Sequence, residues 1–124
     1  MALAVDPESG VLYMAVHGRD QLTENWKWSP EDGRENPAEE FGPLAAGADY
    51  GWPYCFYNPT KRQKLENPEY GGDGVKVGDC ATKAQPAIAF PAHWAPNALK
   101  FYSGSMFPAQ YRGGAFLAFH GSWN

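Results

Sequence analysis

Three histidines, His17, His93 and His120, are the side chains of this 124-residue chain best suited to acid–base, metal or cofactor chemistry. A copper or zinc site needs such ligands to converge in space, and their spacing along the chain gives no sign of it. Glu31, Asp32, Glu39 and Glu40 supply enough carboxylates for the acid–base pair of a glycosidase. Carboxylates beside turns are more often solvated or capping, so that reading is the weaker one. Ser103 and Ser122 lack the sequence of a nucleophile elbow, which leaves a hydrolase triad without support. Trp26 and Trp28 offer aromatic faces that suit the C–H groups of a pyranose. Two tryptophans two positions apart are more often one packed and one half-exposed, and this plainer reading is preferred.

Elements that could position these groups are mainly β. Ala2–Val5 and Val11–Val16 are β-rich runs joined by Asp6-Pro-Glu-Ser-Gly10, in which Pro sets φ and Gly closes the turn. An irregular stretch is expected from His17 to about Pro37, followed by a short strand or one helical turn over 37–41. The aromatic run from Ala48 to Cys55 is kinked by Gly51 and Pro53. Ala87–Phe90 reads as a short strand. A last hairpin pairs Ala98–Tyr102 with Gly114–His120. Gly 14 and Pro 11 favour short strands and long ordered loops, while a hydrophobic content of 44% is enough for a packed core.

A net charge of -4 leaves no electrostatic footprint for nucleic acid or anionic membranes, and no apolar run approaches the length of a membrane span. Cys55 and Cys80 lie outside any Cys-x-x-Cys arrangement, so structural zinc is not indicated. They are read either as a disulfide that staples a poorly packing loop or as two free buried thiols, with the disulfide preferred. A disulfide would place the protein in the periplasm or outside the cell.

The two hairpins echo one another. A strand, a turn and a second strand ending in His17-Gly18 recur as a strand, a turn and a second strand ending in His120-Gly121. Blades of a β-propeller repeat in this way and carry functional groups to one mouth. Chance likeness between two amphipathic hairpins is the competing reading. The chain opens and closes inside β-structure, as a piece of something larger would.

The strings His17-Gly-Arg-Asp-Gln-Leu22, Asp49-Tyr-Gly-Trp-Pro-Tyr-Cys55, Pro91-Ala-His-Trp-Ala-Pro96, Tyr111-Arg-Gly-Gly-Ala-Phe116 and His120-Gly-Ser-Trp-Asn124 together resemble the glucose/sorbosone dehydrogenase family. That resemblance covers essentially the whole chain. It implies an all-β fold, about two blades of a six-bladed β-propeller with long irregular loops. Residues 1–18 and 98–121 would form blade hairpins, and 19–97 an inter-strand insert. It further implies an oxidoreductase that oxidises a sugar hydroxyl with pyrroloquinoline quinone (PQQ) and calcium. Gly18 and Arg19 would ligate calcium through main-chain carbonyls. His17, His93 and Trp94 would face the quinone, and Glu39 would orient a catalytic histidine. His120, Ser122 and Asn124 fall where the family uses a basic side chain on the cofactor. The family's catalytic histidine has no counterpart, so a fragment with negligible turnover of its own is expected. Tyr50 and Trp52 would pack between blades.

The rival reading, from another class, is a free-standing β-module that binds carbohydrate or a metal. Sheet edges left bare by two blades predict a homo-oligomer.

Overall fold

The computed structural model describes residues 1–122. In chain order its elements are β1 (Ala2–Val5), β2 (Leu12–Val16), the short helices α1 (Leu22–Trp26) and α2 (Pro30–Glu35), β3 (Glu39–Pro43), β4 (Cys55–Asn58), β5 (Gln63–Glu66), β6 (Ile88–Phe90), β7 (Pro96–Phe101) and β8 (Ala115–Phe119). The chain is mostly β, as an all-β class requires. Among the described residues the sheets do not close into a propeller.

β1, β2, β3 and β6 form a four-stranded antiparallel sheet in the order β1-β2-β3-β6, while β4-β5 and β7-β8 are separate hairpins. The first turn forms because the Gly10 amide donates to the Asp6 carbonyl at 2.8 Å, with Gly10 at φ 73°. That left-handed conformation carries no steric cost for glycine. Alternation then sorts the faces. Ala2, Ala15, Phe41 and Leu99 form a buried cluster between the four-stranded sheet and the β7-β8 hairpin, with Tyr13, Phe90 and Leu117 packed against it. Tyr13 lies over Phe41 at 5.6 Å and meets the edge of Phe101 at 5.2 Å. Burying a side chain such as Phe41 or Leu99 contributes about 1.5–3 kcal/mol. This cluster is therefore what holds the hairpin to the sheet.

The stretch expected to be irregular from His17 to Pro37 contains both helices. Ser29 caps α2 by accepting the Asp32 amide at 3.0 Å, and Pro30 occupies the first turn. That Ser-Pro-Glu-Asp signal was present in the sequence, in a stretch expected to be irregular. The 19–97 segment also holds the β4-β5 hairpin, in which Phe56 pairs with Leu65 and both are buried.

Cys55 and Cys80 are joined in a disulfide with a Cα–Cα distance of 5.8 Å, rather than standing as two thiols. It ties β4 to the tight 3-10 turn Gly78–Thr82. Asp49 fixes the preceding turn from the other side: its carboxylate accepts the Gly51 amide at 2.8 Å and Lys83 Nζ at 2.7 Å. The Lys83 hydrogen bond, with the Gly51 amide behind it, holds the Asp49 carboxyl below the ordinary aspartate range. Among the described residues no helix is long and apolar enough to cross a membrane.

Candidate functional site

His17, His93 and His120 do converge. With Gly18, Asp20 and Glu39 they line one cleft of about 270 Å³ at the end of the four-stranded sheet. Strand β2 delivers His17, the turn before β7 delivers His93, and the end of β8 delivers His120. Glu39, 2% exposed, braces the cleft from behind. One of its carboxylate oxygens accepts the Gly18 amide at 2.8 Å and the other the Ala95 amide at 3.1 Å. Both oxygens hold backbone amides, so Glu39 positions the loop after β2 and the turn before β7.

The imidazoles have partners of their own, and His93 has one at each ring nitrogen. His17 Nε2 lies 2.9 Å from the Pro96 carbonyl. His93 Nδ1 lies 2.7 Å from Asp20 and its Nε2 2.8 Å from the Gly33 carbonyl, so both ring nitrogens face oxygen atoms. The ring links the loop after β2 to α2, and neither nitrogen is turned to a ligand. His120 is exposed, with Nδ1 3.3 Å from the Gly121 carbonyl. Trp94 stands outside the cleft, edge-on to Phe119 at 5.4 Å. Among the described residues no three His, Cys, Asp or Glu side chains gather closely enough to hold a metal. Ser122 follows at the exposed end of the chain's described part, and Asn124 lies outside the described residues.

Arg19 turns away from the histidines. Its guanidinium pairs with Glu69, reaches Asn67 Oδ1 at 3.4 Å and lies over the Trp26 ring at 5.5 Å. Gly18 allows this divergence, because a Cβ there would sit 2.8 Å from the Pro37 carbonyl oxygen.

A larger cleft of about 550 Å³ opens on the opposite face of the sheet from the core. Val16 and Glu40 stand across from one another in the β2–β3 register and form part of its floor. Tyr57 and Lys64, likewise paired across β4–β5, close another side. Trp52 lines the cleft while remaining 74% exposed. Tyr50 and Trp52 thus flank a concavity.

Lys64 is 1% exposed and donates from Nζ to Glu40 at 2.7 Å and to the Tyr50 carbonyl at 2.6 Å. Burial pushes the Glu40 carboxyl above the ordinary glutamate range, and the Lys64 charge opposes that rise without cancelling it. Sequence reasoning missed Lys64 altogether. A lysine in a strand reads as exposed, and only the partner 24 positions away makes its burial tolerable.

A family model described as TrAA12-like matches residues 1–124. An uncharacterized protein of Borreliella burgdorferi is 33% identical over 120 residues, covering 95% of this chain and 27% of its own length. The chain thus spans about a quarter of the curated relative it matches. No solved structure matches it. These findings correct the resemblance to the glucose/sorbosone dehydrogenases and the oxidoreductase reading drawn from it. The PQQ and calcium roles given to Gly18, Arg19, His17, His93, Trp94, His120, Ser122 and Asn124 rested on that resemblance and lose their support with it. The matching strings were turn sequences rich in Gly, Pro and aromatics, which tight turns select for backbone reasons in unrelated β-proteins. Asp49–Pro53 is such a case, an anchored turn leading into β4. By a match that runs from its first residue to its last, the chain belongs to the TrAA12-like family.

Proposed function

We propose that this chain is a carbohydrate-binding β-module whose ligand lies in the cleft between Trp52 and the Glu40–Lys64 pair. The exposure of Trp52 carries the reading. An indole left 74% exposed at the edge of a concavity forgoes burial worth about 2 kcal/mol, which a stacked pyranose would restore. The polar groups beside it suit hydroxyls. Buried Lys64 donates to Glu40 and to the Tyr50 carbonyl and so holds the partly exposed Glu40 carboxylate at the cleft wall. The Glu40 carboxylate offers an acceptor lone pair in the same place. A paired carboxylate and ammonium, close to neutral together, favour a neutral sugar over a charged one.

Trp52→Ala is expected to weaken binding of a neutral oligosaccharide at least about tenfold while the melting temperature stays within a degree or so. Titration followed by the tryptophan indole signals in NMR reads this directly. Oligosaccharide panels that leave the Trp52 signal unmoved, or an alanine variant that binds as well as the parent, would sink the proposal.

Two further expectations belong to this reading. The four-stranded antiparallel sheet followed by a hairpin is the arrangement two neighbouring propeller blades would have. On that account the outward side chains Leu3, 51% exposed, and Ile88, 49% exposed, lie on edge strands that a second copy would cover. Light scattering is expected to give a mass above the 13.7 kDa of one chain, and a monomer at tens of micromolar, roughly, counts against it. The Cys55–Cys80 disulfide supports a periplasmic or secreted location. Thiol labelling of the protein as it comes from its cell should then leave both cysteines unmodified.

A further inference from the structure

A third concavity, about 570 Å³, lies between α2 and the loops around Lys61 and Gly74, away from both clefts described so far. It belongs to neither the histidine cluster nor the proposed sugar site. Its lining combines one aromatic face, Trp28, with an excess of acidic groups: Glu31, Asp32, Glu35 and Asp73 against Lys27 and Lys61.

The charged groups do not all serve the fold. Asp32 is engaged by the Ser29 hydroxyl at 2.6 Å, and Asp73 accepts the Val75 and Lys76 amides at 2.9 and 2.7 Å. Lys61 Nζ donates to the Gly74 carbonyl at 2.7 Å. Glu31 and Glu35 stand exposed one turn apart on α2. Glu31 sits in the first turn, where the helix dipole favours a carboxylate, while Glu35 at the last turn gains nothing from it and repels Glu31.

A second observation points to a ligand. Asn36 lines the same cleft and is only 5% exposed. Its amide nitrogen donates to the Asp32 carbonyl at 3.1 Å, but its Oδ1 is buried with no hydrogen-bond partner among the described residues. A buried acceptor in that state is destabilised until a donor reaches it. The cleft therefore combines an acidic excess, four carboxylates against Lys27 and Lys61, with one buried acceptor that no donor reaches among the described residues. No three acidic side chains among the described residues converge as a metal would need. The spread of the carboxylates suits a larger cation that carries its own N–H donors.

We propose that this cleft binds a protonated amino sugar, with the ring against Trp28 and the ammonium among Glu31, Glu35 and Asn36. Trp28 is anchored for that role by its contact with Phe56, ring centroids 5.4 Å apart. An indole face attracts both the C–H groups of a pyranose and an adjacent ammonium. The site is independent of the Trp52 cleft, and each is read by its own indole signal.

The test is an NMR titration of the isotope-labelled chain with fully deacetylated chitotriose and, separately, with fully acetylated chitotriose. The Trp28 indole signal is expected to move with the deacetylated trimer, and the acetylated trimer to bind about tenfold more weakly or not at all. The double variant Glu31→Gln/Glu35→Gln, confined to exposed positions and so expected to fold normally, should weaken the deacetylated trimer about fivefold or more. Equal affinity for the two trimers would overturn the proposal, as would a double variant that binds like the parent. A response of Trp52 alone would also overturn it, while leaving the neutral-sugar reading of the other cleft intact.

Discussion

Replacing both cysteines, Cys55→Ala/Cys80→Ala, is expected to cost about 3 kcal/mol of stability. That corresponds to a melting temperature lower by roughly 10 °C for a chain of this size. The closed loop spans 25 positions, and most of it is polar, turn-rich backbone with little apolar surface of its own. The disulfide therefore removes disorder from the unfolded chain that no nearby packing would remove. Both cysteines are also inside, Cys55 at 5% and Cys80 at 1% exposure, so alanine leaves small voids where the sulfurs stood. Equilibrium urea unfolding checks the figure, and a loss below about 1 kcal/mol would show that the loop is held by its other contacts. Cys55 also lines the cleft that carries Trp52. The same variant is thus expected to bind the neutral oligosaccharide more weakly.

Lys64→Met is expected to cost about 3–5 kcal/mol at neutral pH, because it strands the Glu40 carboxylate in a nearly dry site. Two hydrogen bonds disappear at once, to Glu40 and to the Tyr50 carbonyl. The pH dependence distinguishes this cause from a packing defect. Burial already raises the Glu40 carboxyl above the ordinary 4.5, with Lys64 the opposing influence, and removing Lys64 raises it further. A carboxyl raised in the folded state contributes stability that is present below its unfolded value and lost as pH rises through the folded one. The deficit of the variant relative to the parent should therefore shrink as pH falls toward 4.5 and widen toward neutrality. Comparison with the parent at each pH is essential. Asp6, Asp49, Glu69 and Asp73 are all held below their ordinary ranges by hydrogen bonds, and their contribution fades in acid in both proteins. Adding Glu40→Gln to Lys64→Met should recover part of the loss at neutral pH. A deficit that does not change with pH would mean that Glu40 is not the stranded group.

How much of this was legible in the sequence depended on the range of the interactions involved. The first and last hairpins could be read because alternation and the Asp6–Gly10 turn act over a few residues. The boundaries Ala2–Val5 and Ala115–Phe119 fell close to where the pattern put them. Helix α2 was written locally as well, in Ser29, Pro30 and Asp32, although six residues are too few for a periodic signal. The β4–β5 hairpin was not legible. Its strands are four residues each and mix Asn, Gln and Lys with the apolar positions, so no alternation stands out.

The sites depended on distance along the chain. That three histidines were chemically capable was plain from their type. That they meet in one cleft, with His93 locked between Asp20 and Gly33, follows from pairings 73 and 60 positions apart. Short strings shared with another family pointed to the wrong chemistry, because a tight turn constrains the residues in it far more than a function does. The amino-acid sequence by itself determined the β class, the composition of the turns and the cysteines available for a staple, all of which rest on neighbours within a few residues. Tertiary structure alone decided that Lys64 is buried, that Trp52 is bare and that Asn36 Oδ1 meets no donor among the described residues. Burial and partnership are properties of what the folded chain brings alongside a residue, and that is set by contacts no local pattern encodes.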